Sequence, residues 1–287
     1  VTDRAPGEPA ARARGASAER DPRSLRDAAA ELAREAGALV RSGWGRIHAP
    51  ERKGRIDLVT DFDRRSEELL LARIAERFPG DSVLAEESGT HASRGAHSGV
   101  RWVIDPLDGT TNFAHNYPFF AVSVGVEVDG ERVAGAVFDP VREEMFAAAR
   151  GFGATLGGTA IAVSAIDRLE DALLVTGFPY DVREHPERVM PAFEAFLTRA
   201  QGVRRDGSAA LNLCYVAAGR FDGFWEPTLS AWDTTAGAVI VHEAGGRATD
   251  YRGGTFRPGE SSILATNGRI HEAMMRVLAE SVGKARR

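Results

Sequence analysis

The chain has 287 residues, of which 43% are hydrophobic and 27% charged, with a formal net charge of −5. That length suits two domains or one large α/β unit, and the balance is that of a soluble globular protein. The acidic excess argues against nucleic acid as the main ligand, and no apolar run is long enough to span a bilayer.

Residues 1–20, rich in Ala, Arg, Gly, Pro and Glu, read as a disordered tail without the hydrophobic segment of a secretory signal. Order begins near Asp21-Pro22. Leu25, Ala29, Leu32, Ala36, Leu39 and Val40 recur at helical spacing, with Ser24 and Asp27 placed as a capping pair and Gly43 and Gly45 at the end. Glu51 to Arg55 reads as a mobile charged loop. Asp57-Leu58-Val59-Thr60-Asp61-Phe62-Asp63 then leads into a second helix carrying Leu70, Ile74 and Phe78 and closed by Pro79-Gly80.

Ser82 to Ser88 is a short apolar strand ending in Glu86 and Glu87; taken alone, a solvated acidic loop explains it as well. Residues 90–99 form a polar loop in which His91 and His97 lack the companions of a metal site. Trp102 to Ile104 is a buried strand, and Pro106, having no N–H, is expected to end it. Asp108-Gly109 makes a turn, and Thr110-Thr111-Asn112 open a helix. Two carboxylates, Asp105 and Asp108, therefore stand at a strand end facing unpaired helix amides, a place that suits hard cations and phosphate together.

Two strands flank the Asp129-Gly130 turn, and Glu144 to Ala149 continue that sheet. Gly151 to Gly157 has the wrong spacing for a dinucleotide fingerprint and reads as a connection between halves. The second half alternates strands and helices. Leu173 to Thr176 is a strand, a helix follows from about Pro186, and Ser208 caps another, leaving amides near Gly207 to Ala209 free for a ligand. Phe221 to Glu226 is a strand presenting Glu226, and Asp233 opens the next helix, where a plain capping role is the simpler alternative. Cys214, the sole cysteine, excludes an intramolecular disulfide, fits a reducing cytoplasm and lies among apolar neighbours as a packed thiol.

Taken together, Asp105-Pro106-Leu107-Asp108-Gly109-Thr110-Thr111-Asn112-Phe113, the Asp57 to Asp63 element, Ala85-Glu86-Glu87-Ser88 and Trp232-Asp233 followed by Glu243-Ala244-Gly245-Gly246 resemble the signatures of the inositol monophosphatase family. They occur in the family's order. Ala85 replaces the family's usual glycine, which is tolerable only with an ordinary backbone angle. The resemblance implies a layered αβαβα sandwich, of mixed α+β and α/β character, usually a homodimer. Residues 21–155 would form an N-terminal α+β half with most metal ligands, and 156–287 a C-terminal α/β half.

It further implies a magnesium-dependent, lithium-sensitive phosphatase with two or three Mg²⁺ per site. Glu86, Asp105 and the Leu107 carbonyl would hold one ion; Asp105, Asp108 and Asp233 would hold a second. Glu86 and Thr110 would handle the attacking water, with Thr60 and Asp63 behind Thr110. The Gly109 and Thr110 amides would cradle phosphate. Glu226, seven residues before Asp233, would accept inositol hydroxyls together with Asp108, Ser208 and Ala209. Arg204 is a further substrate candidate; surface or dimer-interface charge explains Arg204 and Arg205 equally well. The substrate implied is inositol 1-phosphate, with histidinol phosphate or fructose 1,6-bisphosphate as alternatives. A regulatory partner-binding protein with secondary phosphatase activity is the alternative of another class.

Overall fold

The computed structural model describes residues 21–45, 51–52, 58–94, 98–257 and 262–285. The tail at 1–20, most of the charged loop at 51–55, Asp57 and His97 lie outside the described residues.

Two sheets are stacked through helices. The first has eight strands: β3 (Ser82–Ala85), β4 (Gly89–His91), β5 (Val100–Asp108), β6 (Ala121–Val128), β7 (Glu131–Asp139), β8 (Glu144–Ala149), β9 (Ala154–Leu156) and β10 (Thr159–Ile161). Its order is β10-β9-β8-β7-β6-β5-β3-β4, antiparallel except where β3 runs parallel to β5. A separate pair, β1 (Glu51–Arg52) and β2 (Leu58–Val59), precedes it. The second sheet joins β11 (Leu173–Thr176), β12 (Gly202–Arg204), β13 (Gly223–Glu226), β14 (Arg247–Thr249) and β15 (Ile263–Thr266) in the order β12-β11-β13-β15-β14.

Helices α1 (Pro22–Gly43) and α2 (Asp61–Arg77) cover one face of the first sheet, where Leu25, Leu32 and Val40 pack with Val124, Val126 and Phe138. Each such fully buried aliphatic side chain contributes about 1.5–3 kcal/mol of transfer free energy. After the short helix α3 (Thr110–Ala114) and α4 (Met190–Leu197), helices α5 (Ala209–Ala217) and α6 (Ala231–Glu243) fill the space between the sheets. There the chain needs two glycines: a Cβ at Gly125 would lie 2.5 Å from Thr235, and one at Gly135 2.6 Å from Ala236. Backbone of α6 thus approaches the sheet without a side chain in between. Helices α4 and α7 (His271–Ala285) close the far face, with Phe196, Trp225, Leu264 and Met274 as their core. The layers run α, β, α, β, α, as the family resemblance implies.

Several local expectations change. Asp21 is the N-cap of α1 with Pro22 at its first position, so Ser24 and Asp27 are already inside the helix, and Asp27 instead accepts from Arg26. The polar loop after Ser88 contains β4, which pairs with β3. The glycine-rich stretch does not connect halves: β9 and β10 extend the first sheet, so a boundary at 155/156 would cut β9. The sheets change over between Ile161 and Leu173. The segment from Pro186 begins as a 3-10 turn before α4, because Pro191 is accommodated in the first turn of a new helix.

Candidate active site

The expected strand end at Pro106 is also corrected, and the correction explains the site. Strand β5 continues to Asp108, with a register shift between Asp105, opposite Ser123, and Asp108, opposite Ala121. Pro106 cannot donate to the ladder, so the extra residue is taken up as a bulge. In a regular strand, residues three apart face opposite sides. The bulge restores parity, and Asp105 and Asp108 point the same way.

Asp233 joins them from α6. Its Oδ2 accepts the Ser230 amide at 2.7 Å, so it sits at the third helical position of a capping box and not at the cap itself. One carboxylate oxygen from each of Asp105, Asp108 and Asp233 falls within 4.8 Å of the others, which makes a group able to hold a metal ion. Burial pushes the Asp105 carboxyl well above its ordinary range, reinforced by the charges of Glu86, Asp108 and Asp233. Burial likewise raises Asp233, helped by Asp108 and Glu86. Asp108 is pushed up to about 6 by burial, against hydrogen bonds from Ser208 and the Ala210 and Ala209 amides. Clustered acids whose charged forms are disfavoured by burial, and at Asp105 and Asp233 also by one another, are the electrostatic signature of a place built for a cation.

Ser208 Oγ donates to Asp108 Oδ2 at 2.6 Å and the Ala210 amide at 2.7 Å. Ser208 is indeed the N-cap of α5. The amides there, expected to be free for a ligand, are instead turned on Asp108. A helix N-terminus favours the nearest anion, and here that anion is supplied by the protein.

Thr60, Asp63 and Thr110 form a second, adjoining group. Asp63 Oδ2 accepts from the Thr60 amide at 2.8 Å and the Thr60 hydroxyl at 2.6 Å. Its Oδ1 accepts from Thr110 Oγ1 at 2.8 Å, and the Leu107 carbonyl stands 3.1 Å from the same hydroxyl. Burial raises the Asp63 pKa, with these hydrogen bonds opposing the rise. Gly109, the N-cap of α3, has φ +97° and sits where a Cβ would come 3.0 Å from the Phe119 carbonyl, so only glycine fits. Ala85 has no such demand; it is fully buried in β3 beside Ile104 with an ordinary backbone angle.

A pocket of about 470 Å³ opens over these groups. Of the expected residues, Glu86, Asp108, Gly109, Thr110, Ser208, Ala209, Glu226 and Asp233 line it. Asp105, Leu107, Thr60 and Asp63 lie beneath, and all four are buried. Arg204 is not brought in: it is exposed at the end of β12 and donates to its neighbour's carbonyl, Val203. Arg205 lines the pocket instead, since consecutive residues leaving a strand face opposite ways. Glu226 is buried and pushed up to about 8 by burial, with the Arg205 charge opposing. Gly177 makes room for it, because a Cβ there would lie 2.0 Å from Glu226 Oε2. Sequence reasoning gave no site role to Gly177 or Asn112; the Asn112 amide donates at 2.7 Å both to the Phe119 carbonyl and to the Asp206 carbonyl. Cys214 is buried, and burial drives its thiol well above the usual range, away from any nucleophilic role.

Comparison with known proteins agrees with this geometry. A model of the inositol monophosphatase family matches residues 21–284. An inositol-1-monophosphatase of Synechocystis is 44% identical over 88% of this chain and 87% of its own length. The Nus factor SuhB of Escherichia coli K12 is 39% identical, over 90% of this chain and 96% of its own. An inositol monophosphatase from Anabaena superimposes with a TM-score of 0.80 at 41% identity, covering 90% of this chain and 96% of that structure.

Proposed function

The chain belongs to the inositol monophosphatase family and is a phosphoric monoester hydrolase; from that premise we propose that it hydrolyses myo-inositol 1-phosphate to inositol and phosphate with Mg²⁺ as cofactor. The observation that carries this is the convergence of Asp105, Asp108 and Asp233 within 4.8 Å beside the Thr110–Asp63 pair. The residues fit the ion. The donor set is all oxygen, without thiols or clustered histidines, and the acids' mutual repulsion is what a divalent cation relieves. Glu86, Asp105 and the Leu107 carbonyl would hold one ion, and Asp105, Asp108 and Asp233 another, with two or three per site. Bound there, Mg²⁺ supplies charge neutralisation for the phosphoryl group and its attack by water.

The chain's own residues handle the proton. Thr110 gives its single hydroxyl proton to Asp63 at 2.8 Å, which leaves the Oγ1 lone pairs to accept from a water in the pocket. As the water oxygen bonds to phosphorus, the ester P–O bond breaks with its electron pair going to the ester oxygen. The attacking water's proton passes to Thr110 Oγ1 and the Thr110 proton to Asp63, while the departing alkoxide takes a proton from a second water in the open pocket. The raised pKa of Asp63 suits it to receive that proton. Thr60 keeps Asp63 aimed through two hydrogen bonds. Glu86 orients the water from the other side. The Gly109 and Thr110 amides, which start a helix and have no intrahelical acceptor, receive the phosphoryl oxygens. Glu226 meets the polyol hydroxyls, and Ser208 and Ala209, whose donors are engaged by Asp108, would meet them only through their oxygen acceptors. No covalent intermediate on Cys214 is needed.

A homodimer in the cytoplasm, sensitive to lithium, completes this reading. Among the described residues no helix is long and apolar enough to cross a membrane. Phosphate release from inositol 1-phosphate, histidinol phosphate, fructose 1,6-bisphosphate and 3′-phosphoadenosine 5′-phosphate tests the substrate. Strongest turnover of inositol 1-phosphate supports it, and preference for another ester replaces it. The Nus factor name of SuhB relatives supports a second reading, an additional macromolecular partner. Retention of the same partner by Asp105→Asn protein in a pull-down would separate that role from catalysis, and capture of no partner would remove it.

A further inference from the structure

Resting on the phosphatase reading, we infer that Arg205 gives this pocket an anion subsite beside the polyol site, so that an ester carrying a second anionic group, a phosphate or a carboxylate, is favoured over its otherwise matched singly anionic counterpart. The pocket is otherwise acidic: Glu86, Asp108, Asp233 and Glu226 line it. Arg205 lines it too, and among the described residues its guanidinium has no ion pair and no hydrogen-bond acceptor. Asp181 also lines the pocket; its Oδ2 accepts from Arg188 Nη1 at 2.6 Å, and it makes no hydrogen bond or ion pair to Arg205. Asp206, next in the chain, shares its charge among Arg204, Arg142 and Arg205 and is hydrogen-bonded to none of them.

The guanidinium is nonetheless placed. It lies over the Phe178 ring, 5.6 Å from the centroid, on the loop that leaves the neighbouring strand β11 and also lines the pocket. It is also folded back over the Gly207 turn, where a Cβ would come 3.2 Å from its Nη1. Stacking on an aromatic face holds the plane of an arginine while leaving its edge N–H donors directed outward. Its charge is felt at Glu226, whereas the influences that dominate at Asp105, Asp108 and Asp233 are other acids, burial and local hydrogen bonds. Arg205 therefore stands on the Glu226 side of the pocket. A ligand whose phosphoryl group lies on the acidic cluster and whose hydroxyls meet Glu226 would bring its far end to five unused donors in a fork that matches phosphate or carboxylate. Arg204 offers the internal contrast: same charge, one residue away, outside the pocket and bonded to its own strand.

Paired substrates test this. Fructose 1,6-bisphosphate and fructose 1-phosphate differ only in the second phosphate; 2-phosphoglycerate and glycerol 2-phosphate differ in a carboxylate. For an exposed arginine, kcat/KM with Mg²⁺ should favour the doubly anionic member of at least one pair about tenfold, and the pair that shows it identifies the anion. In Arg205→Met that ratio should fall to near one, whereas Arg204→Met should keep it. A ratio near one for both pairs in the unsubstituted protein, or a ratio that survives in Arg205→Met, overturns the inference. Calorimetric binding of the two fructose esters to Mg²⁺-free protein reads the same contrast without turnover. If no ester is hydrolysed the phosphatase reading fails, and calorimetry still decides: tighter binding of the bisphosphate that Arg205→Met abolishes supports the subsite, and equal binding removes it.

Discussion

The two walls of the pocket are built differently. The wall from the first sheet is built of locally braced pieces: Thr60 with Asp63, Asp105 with Leu107, and Thr110 with the Leu107 carbonyl are three residues apart or fewer, and the Thr110–Asp63 hydrogen bond joins those pieces over 47 residues. The wall from the second sheet depends on long-range register, since Gly177 meets Glu226 only because Thr176 pairs with Trp225 in adjacent parallel strands. Reaction chemistry tolerates little displacement, so it sits on short, self-capping loops held by buried strands. Substrate choice can vary with the pairing of distant strands.

Substitutions on the two walls should therefore fail in different ways. The largest effect is expected for Asp105→Asn, which would remove the ligand proposed to be shared by two cation positions: kcat should fall about 10³-fold or more while the fold, read by circular dichroism, persists. Thr110→Val, deleting the hydroxyl proposed to relay a proton to Asp63, should lower kcat about 10²-fold or more with KM changing little, as steady-state kinetics would show. On the opposite wall, Gly177→Ala drives a methyl into the Glu226 carboxyl and should raise KM about tenfold, with kcat affected far less. A kcat loss in Gly177→Ala as large as that in Thr110→Val would dissolve the distinction between the walls.

The smallest effect is a pH slope. Glu226 rises from 4.5 to about 8 through burial, so the folded state binds its proton more tightly than the unfolded state does. Its favourable linkage is fully present below about pH 4.5 and is lost as pH rises through about 8. Metal-free protein should thus show a Tm falling between about pH 5 and 8, and Glu226→Gln should flatten that fall. An unchanged slope in Glu226→Gln would place the titration elsewhere.

The same asymmetry explains what could be read in the sequence. The acids were legible, Asp105 and Asp108 at a strand end and Asp63 and Asp233 at helix starts, because each carries its context within a few residues; the layers were legible only through the family resemblance those motifs carry. The bulge at Pro106 was half legible: proline signalled a ladder defect, but whether the strand stops or slips is decided by β6, whose Ala121 and Ser123 lie far along the chain. The extra strands β9 and β10 were hidden because Gly151 to Gly158 supplies turn residues whether or not the flanking threonines pair. Choosing between Arg204 and Arg205 required knowing where β12 ends. The role of Gly177 was not legible locally, since its constraint is the Glu226 carboxylate 49 residues away.

The most direct test of the central claim is the Mg²⁺ dependence of phosphate release from inositol 1-phosphate by purified protein, alongside Asp105→Asn. Release that rises saturably with Mg²⁺, vanishes with a chelator, and is lost in the folded variant is the predicted result. Release that is indifferent to Mg²⁺, or that Asp105→Asn retains, would contradict the assignment of Asp105, Asp108 and Asp233 as the catalytic metal site.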